Sequence, residues 1–390
     1  MTPSARVQAA IELIDHVIAA AHANGAAADT LIARYFAERR YAGSKDRRGV
    51  RELVYRAIRS FGEAPASGRV AMVALARHDA ALASLFDGSR HAPAPIAVDE
   101  AGARLSLLPA WIEPLLAAPV DAAERQALLD RAPLHVRANA LRTTREALLG
   151  QWPDAQAFPG TTHGLSLPEG TNVDADGLAE VQDAGSQMIA AACAAKPGMI
   201  VLDLCAGAGG KTLALAADMA GPRDGAGRLI AADTGRDRLA RLVPRAQRAG
   251  ANVETRLLDP GKEQAALTDL VGACDIVLVD APCSGAGTWR RNPEARWRLT
   301  PARLEKIVAL QAHILDYAAA LVKPGGRLVF AVCSLIDREG REQAEGFLTR
   351  HPGWHAIPSQ DGARAHGPGT LLLPRRDGTD GFFFATLANN

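Results

Sequence analysis

The stretch Met199-Ile-Val-Leu-Asp-Leu-Cys-Ala-Gly-Ala-Gly-Gly-Lys-Thr212 decides the fold of the second half of this chain. It opens with an apolar run that predicts a buried strand, and it continues through a glycine-rich turn into a helix. Glycines in such a turn let a ligand approach the backbone closely, at the N-terminus of the helix that follows. We therefore expect a ligand site at the point where this strand ends.

Further apolar runs follow this strand and alternate with helical segments. They are Arg228–Asp233, Thr255–Asp259, Cys274–Asp280 and Arg327–Cys333. Such runs are typical of buried parallel strands, and short connections through helices indicate a doubly wound sheet. The sequence thus predicts an α/β fold with a doubly wound, Rossmann-like sheet over residues 181–390. The ligands of such sheets bind at the carboxyl ends of the strands.

Helical periodicity dominates residues 1–130 and recurs before the last apolar run. The first segment of the chain has apolar residues on one face, namely Val7, Ala10, Ile11, Leu13, Ile14, Val17 and Ile18. A later segment has on one face Ile307, Leu310, Ile314, Leu315, Ala318 and Leu321, and we expect its helix to stop at Pro324-Gly325-Gly326. We expect an all-helical N-terminal domain over residues 1–130.

Residues 131–180 differ from both neighbours. A short strand is predicted at Leu134–Asn139 and a helix from Thr143, and irregular sequence rich in glycine and proline follows. We expect a small α+β subdomain that precedes the doubly wound core. Three domains, at 1–130, 131–180 and 181–390, suit a chain of 390 residues, which is too long for one ordinary core.

Composition excludes few classes of protein. The net charge is +1, so any affinity for nucleic acid must come from a local basic face such as Arg39–Arg51, which a solvated loop explains equally well. The five cysteines are odd in number and widely spaced, which argues against a disulfide framework and a zinc cluster. Neither a secretory signal nor a bilayer-spanning apolar run stands out, so we expect a cytoplasmic protein, with a monomer as the default.

The glycine-rich turn is compatible with more than one nucleotide ligand. Gly210-Lys211-Thr212 resembles a phosphate-binding P-loop, but that motif needs a glycine where this chain has Cys205. Asp233 ends the second strand and could hold ribose hydroxyls in a nicotinamide enzyme or in an adenosylmethionine enzyme. Asp259 ends the third strand and would suit an adenine amino group, unless it is a simple turn residue before Pro260.

Two thiols stand where a doubly wound sheet displays its site. Cys283 lies in Asp280-Ala-Pro-Cys-Ser-Gly285 after the fourth strand, and Cys333 ends the fifth. Each thiol alone is explained by burial, since cysteine is among the most buried residue types. The pair, with an acid and a proline before one member, favours an enzyme site. A nicotinamide oxidoreductase gives no reason for two such thiols.

These motifs resemble those of the bacterial Sun (Fmu) type of RNA cytosine-5 methyltransferases, the RsmB-like family. The resemblance is specific over residues 181–390 and looser over 131–180, whereas residues 1–130 are similar only in kind to the RNA-binding domain of such enzymes. The matching stretches are Val181–Gln187, Asp203–Thr212, Asp280–Gly285, Gly287–Pro293, Leu321–Gly326, Cys333–Leu335 and Asp380–Phe383.

The resemblance implies methyl transfer from S-adenosyl-L-methionine to C5 of cytosine in RNA, with small-subunit ribosomal RNA favoured and transfer RNA as the alternative. It implies that Cys333 is the nucleophile, that Cys283 assists its release, and that Asp280 binds the cytosine. The cofactor-binding residues it implies are Cys205, Ala206, Gly207, Ala208, Gly209, Gly210, Lys211, Asp233, Asp259 and Asp280. No metal is implied.

Three points stay open. The two cysteines could exchange roles, since DNA cytosine methyltransferases attack from the Pro-Cys position. Gly207-Ala208 stands where the family usually has Ala-Pro, which loosens the turn but keeps its glycines, so we expect cofactor binding to survive. Val332 stands where the family usually has threonine, so a hydroxyl that helps to orient the base would be missing.

Trp289–Arg298 follows the Pro-Cys motif and contains four arginines and two tryptophans. This composition suits contact with the RNA backbone and stacking on bases, with packed tryptophans and solvated arginines as the alternative. Gln182, Asp183 and Ser186 either brace the site or touch the substrate. A non-catalytic RNA-binding scaffold is the competing class of protein, and the intact cysteines and glycine-rich turn argue against it. Glutamine and DNA-base methyltransferases usually carry Asn/Asp-Pro-Pro-Tyr/Phe at the fourth strand, which this chain lacks.

Overall fold

The computed structural model describes residues 1–23, 25–173, 176–221, 227–358 and 364–390. The chain divides into two compact units. The first contains Met1–Arg131 and Thr288–Arg303, and the second contains Ala132–Gly287 and Leu304–Asn390. Within the described residues, no helix has the length and apolar character needed to cross a bilayer.

The first unit is helical. Its helices are α1 (Pro3–His22), α2 (Ala28–Glu38), α3 (Ser44–Ser60), α4 (Gly68–Ala76), α5 (Ala80–Ala83) and α6 (Ala122–Ala127), with 3₁₀ turns at Glu113–Leu115 and Pro293–Arg298. Helix α1 begins after Thr2, whose hydroxyl oxygen accepts a hydrogen bond from the Ala5 N–H at 3.1 Å. All seven apolar residues predicted on the inner face of α1 are buried, which confirms its helical period.

The segment Thr288–Arg303 packs into this helical unit through hydrogen bonds to backbone carbonyls. The Arg296 guanidinium is buried and donates to the carbonyl oxygens of Ile58 at 2.7 Å and Phe61 at 2.9 Å, where α3 ends. The Trp297 indole N–H also donates to the Phe61 carbonyl, at 2.8 Å. Because the last carbonyls of a helix have no partner within it, these side chains satisfy the end of α3.

The interpretation of Trp289–Arg298 as an RNA-stacking surface is wrong for its tryptophans. Trp289 is fully buried, and Trp297 exposes only 7% of its surface. Arg290 and Arg296 are buried as well. A buried ring has no face to offer a base, and a buried guanidinium that binds carbonyl oxygens is not available to phosphates. Trp297 belongs to the hydrophobic core of the helical unit.

The second unit contains a small sheet and a large sheet. The small sheet consists of β1 (Leu134–Ala138), β2 (Gln156–Ala157), β3 (Gly164–Leu167) and β4 (Ala179–Val181), and α7 (Arg145–Gln151) packs beside it. Its strand order is β2-β3-β1-β4, with antiparallel pairing throughout. Val136, Leu148 and Leu165 are fully buried and form its core. The strand predicted at Leu134 and the helix after it are confirmed.

The large sheet is formed by nine strands in the part of the chain that the structure describes. They are β5 (Ile200–Asp203), β6 (Arg228–Asp233), β7 (Glu254–Leu257), β8 (Cys274–Asp280), β9 (Val322–Val332), β10 (Trp354–Ile357), β11 (Ala365–His366), β12 (Gly369–Leu372) and β13 (Phe382–Asn389). The accompanying helices are α8 (Ala184–Ala192), α9 (Gly210–Asp218), α10 (Arg236–Ala249), α11 (Glu263–Leu267), α12 (Pro301–Ala319) and α13 (Arg341–Arg350), with a 3₁₀ turn at Thr268–Leu270.

The strand order of the large sheet is β11-β12-β13-β9-β8-β5-β6-β7, and β10 pairs with β13. Strands β5 to β9 pair in parallel, whereas β13 runs antiparallel to β9. The chain winds outward from β5 through β6 and β7 and then returns to β8 and β9 on the other side of β5. The sheet is therefore doubly wound, as predicted, and its switch point lies between β5 and β8.

One predicted helix boundary is wrong. The helix expected to run to Pro324 ends at Ala319, and β9 already begins at Val322. Val322 pairs with Cys274, and the register between the two strands shifts just after this pair. Pro324, Gly325 and Gly326 therefore lie within β9, next to the shift in register.

One residue on the predicted inner face of α12 is also misplaced. Leu310 is 44% exposed, while its neighbour Gln311 is fully buried. The Gln311 amide donates a hydrogen bond to the Pro282 carbonyl at 2.9 Å. A polar side chain thus occupies an inner position of α12, because it holds a loop at the end of β8.

Candidate active site

The glycine-rich turn joins β5 to α9 and has the backbone that its glycines predict. Gly207 and Gly209 have φ angles of 56° and 86°, in the left-handed region that favours glycine. A Cβ atom on Gly209 would lie 2.5 Å from Leu242 Cδ1, whereas one on Gly207 would meet nothing within 4 Å. Position 209 therefore requires glycine, because a side chain there would collide with Leu242. The space beside Gly207 is open.

Two acids predicted to bind the cofactor lie near this turn. The Asp233 carboxylate is buried and accepts hydrogen bonds from the Gly207 N–H at 2.8 Å and the Arg238 guanidinium at 2.7 Å. The Asp233 carbonyl accepts from the Leu258 N–H at 2.9 Å, which brings the exposed Asp259 to the same edge of the sheet. The structure thus brings the turn and both acids together. Arg238 was not anticipated from the sequence.

Lys211 connects the glycine-rich turn to the end of β8. Its ammonium group donates to Asp280 Oδ2 at 2.7 Å and lies 5.7 Å from the ring centroid of Phe382. Burial alone would lower the pKa of Lys211, but the charge of Asp280 and the hydrogen bond to it outweigh burial and raise that pKa. A permanent cation therefore lies beside the Asp280 carboxylate.

Asp203, the last residue of β5, is a buried acid at the base of the glycine-rich turn. Its Oδ2 accepts a hydrogen bond from the Thr212 hydroxyl at 2.7 Å, and its Oδ1 has no hydrogen-bond partner among the described residues. Burial raises the pKa of Asp203 to about 7, although the hydrogen bond from Thr212 acts in the opposite direction. This carboxyl group therefore exchanges its proton near neutral pH.

The two cysteines singled out in the sequence lie side by side. Cys283 follows β8 and Cys333 follows β9, and their Sγ atoms are 3.3 Å apart. Both side chains are half-buried. The hydrogen bond to Cys333, reinforced by burial, raises the pKa of Cys283 well above its ordinary value. Either sulfur can donate this hydrogen bond, and the raised pKa favours the protonated form of Cys283.

The three remaining cysteines have a different setting. Cys193 and Cys274 are fully buried, and burial raises the pKa of Cys274 to about 12. Burial also raises the pKa of Cys205, in the glycine-rich turn. Since the thiolate is the reactive form of cysteine, none of these three environments activates a nucleophile.

Residues next to the small sheet brace the glycine-rich turn. The Gln182 amide donates to the Gly210 carbonyl at 3.1 Å, and its oxygen accepts a hydrogen bond from Arg137 at 2.8 Å. Asp183 caps α8 by accepting from the Gly185 N–H at 2.8 Å. Both side chains are engaged with the protein itself, which favours the bracing role over contact with substrate.

Glu339 and Gln311 belong to this site, although the sequence did not identify them. Glu339 is fully buried and accepts hydrogen bonds from Ser284 and Ser334. Each of these serines directly follows one of the two cysteines, so a repeated Cys-Ser pair was the available signal. The sequence gives no sign that Glu339 binds these two serines, because the three residues meet only in the folded chain.

A family model matches the part of the chain that carries these residues. The model describes 16S rRNA methyltransferase RsmB/F and matches residues 190–388, about half of the chain. This chain belongs to the RsmB/F methyltransferase family. The family assignment confirms the resemblance seen in the motifs.

A curated relative extends the match toward the N-terminus. Ribosomal RNA small subunit methyltransferase B of Pectobacterium atrosepticum is 34% identical to this chain over 269 residues. The match covers 67% of this chain and 60% of the relative. The chain thus spans about three fifths of the length of the curated relative it matches.

Solved structures share the fold. The structure of PH0851 has a TM-score of 0.75 with this chain, at 22% identity, and covers 99% of both chains. A methyltransferase homologue from Pyrococcus horikoshii has a TM-score of 0.61 at 25% identity and covers 71% of this chain and 92% of its own. At these identities the likeness concerns the fold, and the predicted Rossmann-like methyltransferase sheet is confirmed.

Proposed function

We propose that this protein transfers a methyl group from S-adenosyl-L-methionine to C5 of a cytosine in small-subunit ribosomal RNA. The observation that carries the proposal is the thiol pair of Cys283 and Cys333, 3.3 Å apart after two adjacent strands. C5 of cytosine is a poor nucleophile, and addition of a thiolate to C6 activates it. The RsmB/F family and the name of the Pectobacterium relative support ribosomal RNA as the substrate.

The residues around the glycine-rich turn fit the methyl donor. Open space beside Gly207 lets a ligand lie against the backbone, at the N-terminus of α9. Cys205 to Lys211 would hold the amino-acid part of the donor, Asp233 its ribose hydroxyls and Asp259 its adenine amino group. When bound, S-adenosyl-L-methionine supplies an electrophilic methyl group. Asp280 would line the same site.

Cys333 is the proposed nucleophile. Its thiolate forms a bond from Sγ to C6 of cytosine, and the electrons of the C5–C6 double bond shift so that N3 takes up a proton and C5 becomes enamine-like. C5 is then able to form a bond to a methyl group. Asp280 is assigned to N3 and the amino group of the base. Solvent supplies the proton that N3 takes up, and N3 gives that proton back when the C5–C6 double bond is restored. The Lys211 ammonium, 2.7 Å from Asp280 Oδ2, holds the Asp280 carboxylate in place.

Cys283 is assigned to the release of the product. Once Cys333 Sγ is bonded to carbon, the hydrogen bond to it that raises the pKa of Cys283 is lost, and Cys283 gives its proton to solvent. Its thiolate then removes the proton from C5. The electrons of the C5–H bond restore the C5–C6 double bond, and the bond from C6 to Cys333 breaks to give back the thiolate.

The reverse assignment, with attack by Cys283, is less well supported. The pKa of Cys283 is raised first by its hydrogen bond to Cys333 and then by burial, so this thiol holds its proton more tightly than an ordinary cysteine. A protonated thiol is a poor nucleophile.

The basic stretch Arg39–Arg51 is the surface that we assign to the RNA backbone. It covers the turn after α2 and the first half of α3, and its exposed side chains are Arg40, Tyr41, Lys45, Arg47, Arg48 and Arg51. Exposed basic side chains bind phosphates, and Tyr41, 74% exposed, offers a ring for stacking. We propose residues 1–130 as an RNA-binding accessory domain and 131–180 as a small RNA-recognition subdomain before the methyltransferase domain at 181–390. Within that last range, Thr288–Arg303 belongs to the helical unit.

The proposed function is tested with purified protein, methyl-labelled S-adenosyl-L-methionine and unmodified RNA. Small-subunit ribosomal RNA, assembled small subunits and transfer RNA are incubated separately and digested to nucleosides. We expect label in 5-methylcytidine from the ribosomal substrates alone. Label from transfer RNA alone would overturn the substrate, and label in another nucleoside would overturn the reaction. Donor binding without label in any RNA would favour the non-catalytic scaffold.

A further inference from the structure

A buried carboxylate connects the loops that carry the two cysteines. Glu339 Oε2 accepts hydrogen bonds from the hydroxyls of Ser284 and Ser334, each at 2.5 Å, and its Oε1 accepts from the Ser284 N–H at 2.7 Å. The Gln311 amide approaches Oε1 at 3.4 Å. Glu339 is fully buried, so these donors provide the hydrogen bonds that a carboxylate away from water requires.

The two loops are built alike around their serines. The Ser284 hydroxyl oxygen accepts a hydrogen bond from the Ala286 N–H at 3.2 Å, and the Ser334 hydroxyl oxygen accepts one from the Ile336 N–H, also at 3.2 Å. Because each oxygen already accepts within its own loop, each hydroxyl proton is available to point at Glu339. The Glu339 carboxylate therefore holds both loops through two serines, each of which is the neighbour in sequence of one cysteine.

Further hydrogen bonds hold the residues next to the thiols. The Gln311 amide donates to the carbonyl of Pro282, which precedes Cys283, at 2.9 Å. The Gly287 N–H donates to the carbonyl of Cys333 at 2.9 Å, which links the two loops directly. The Glu339 carboxylate lies where these contacts converge, since Gln311 reaches both it and Pro282.

We propose that Glu339 is a positioning residue that sets the distance between the thiols of Cys283 and Cys333 through Ser284 and Ser334. The inference rests on the proposed function, in which one thiol attacks the base and the other assists its release. A displacement of about 1 Å in such an arrangement costs on the order of a hundredfold in rate. Glu339 contacts the serines and acts on the thiols only through them.

The charge of Glu339 acts in the same direction as its hydrogen bonds. It adds to the effects of Cys333 and of burial that raise the pKa of Cys283. The negative charge of Glu339, which contacts the neighbouring Ser284, favours the protonated form of the Cys283 thiol. The carboxylate thus supports both the spacing of the two sulfurs and the raised pKa of Cys283.

The first test compares Glu339→Gln with Glu342→Gln. The amide keeps the size of the side chain but replaces one accepting oxygen with a donor. Glu342 is a matched control, since it lies in the same stretch of sequence and is exposed beside Arg341. For Glu339→Gln we expect a kcat on ribosomal RNA about a hundredfold lower, with an unchanged KM for RNA. For Glu342→Gln we expect both constants to equal those of the wild type.

The second test needs no RNA. Phenylarsine oxide joins two neighbouring thiols through its arsenic atom with loss of water, and the mass of the intact protein reports the product. We expect the wild type and Glu342→Gln to form this bridge and Glu339→Gln to lose it. Cys283→Ala measures any bridging that involves other thiols.

The outcomes separate this inference from the proposed function. Wild-type kcat and wild-type bridging in Glu339→Gln would overturn the role of Glu339. A wild type that makes no 5-methylcytidine, with bridging that depends on Glu339, would overturn the proposed function and support the spacing role. If Glu339→Gln does not fold, Ser284→Ala and Ser334→Ala replace it, and wild-type behaviour of both would overturn the inference.

Discussion

The sulfur atoms of Cys283 and Cys333 lie 3.3 Å apart, although fifty residues separate them in sequence. Strands β8 and β9 are parallel neighbours, and Asp280 at the end of one pairs with Ala331 near the end of the other. The loops that leave the two strands therefore start side by side. Sheet topology thus brings the two thiols together.

Alanine at the two cysteines should give different defects. We expect Cys333→Ala to abolish methylation, because no thiolate remains to add to C6. Cys283→Ala should still add to the base but fail to release it, so a protein–RNA adduct should accumulate as a shifted band on a denaturing gel. Cys193→Ala, at a fully buried thiol, serves as the control and should keep its activity.

The opposite pattern would change the assignment of the cysteines. A shifted band with Cys333→Ala and none with Cys283→Ala would show that the two roles are exchanged. Full activity of both variants would remove the thiols from the mechanism.

Alanine at Gly207 and Gly209 should affect donor binding unequally. Both positions have positive φ, which costs an alanine about 1–2 kcal/mol. At Gly209 the new Cβ would also collide with Leu242 at 2.5 Å, whereas at Gly207 it would meet nothing within 4 Å. We expect Gly207→Ala to weaken binding of S-adenosylhomocysteine about thirtyfold at most, and Gly209→Ala to abolish it. Calorimetric titration measures both, and equal affinities would contradict the account of the turn.

The core of the fold was predictable because it depends on long, regular patterns. The apolar runs that became β5, β6, β8 and β9 each fill a strand buried on both faces, and such strands keep a continuous apolar sequence. The strands of the antiparallel edge were not predicted. β11 and β12 contain two and four residues, and elements of that length carry too little periodicity to be recognised.

The site was predictable only where a residue ends a strand. Asp233, Asp280 and the two thiols follow this rule, and the fold brings them to one edge of the sheet. Glu339 escaped prediction because its partners come from separate loops. Arg296 was misinterpreted because an arginine that binds the carbonyls of a helix end has the same local sequence as one that binds phosphate.

Asp203 should make the stability of the protein depend on pH. Burial raises the pKa of Asp203 from its ordinary 3.8 to about 7 in the folded protein. The folded state therefore binds the proton more tightly, so the stabilising contribution is full below about pH 4 and is lost as the pH rises to about 7. Asp203→Asn mimics the protonated carboxyl group and should remove this loss, which is at most about 4 kcal/mol.

Urea denaturation between pH 4 and pH 8 measures the effect at Asp203. The free energy of unfolding of the wild type should fall relative to that of Asp203→Asn across this range. Parallel pH profiles for the two proteins would show that Asp203 does not titrate as its burial requires.

Arg296→Met should destabilise the helical unit. The substitution keeps much of the buried volume but removes the donors to the Ile58 and Phe61 carbonyls at the end of α3. Loss of partners for buried backbone groups costs about 2–4 kcal/mol in total. Arg48→Met, at an exposed position of the same unit, should change stability by less than about 0.5 kcal/mol. Equal denaturation midpoints for the two variants would contradict the anchoring role of Arg296.

RNA containing 5-fluorocytidine tests whether Cys333 forms a covalent bond with C6 of cytosine. Fluorine at C5 is not lost as a proton is, so release is blocked and the adduct should accumulate in the presence of S-adenosyl-L-methionine. Digestion with protease and nuclease, followed by mass spectrometry, identifies the modified peptide. We expect a nucleotide on Cys333. A nucleotide on Cys283, or 5-methylcytidine formed from normal RNA by a protein that never gives an adduct, would contradict it.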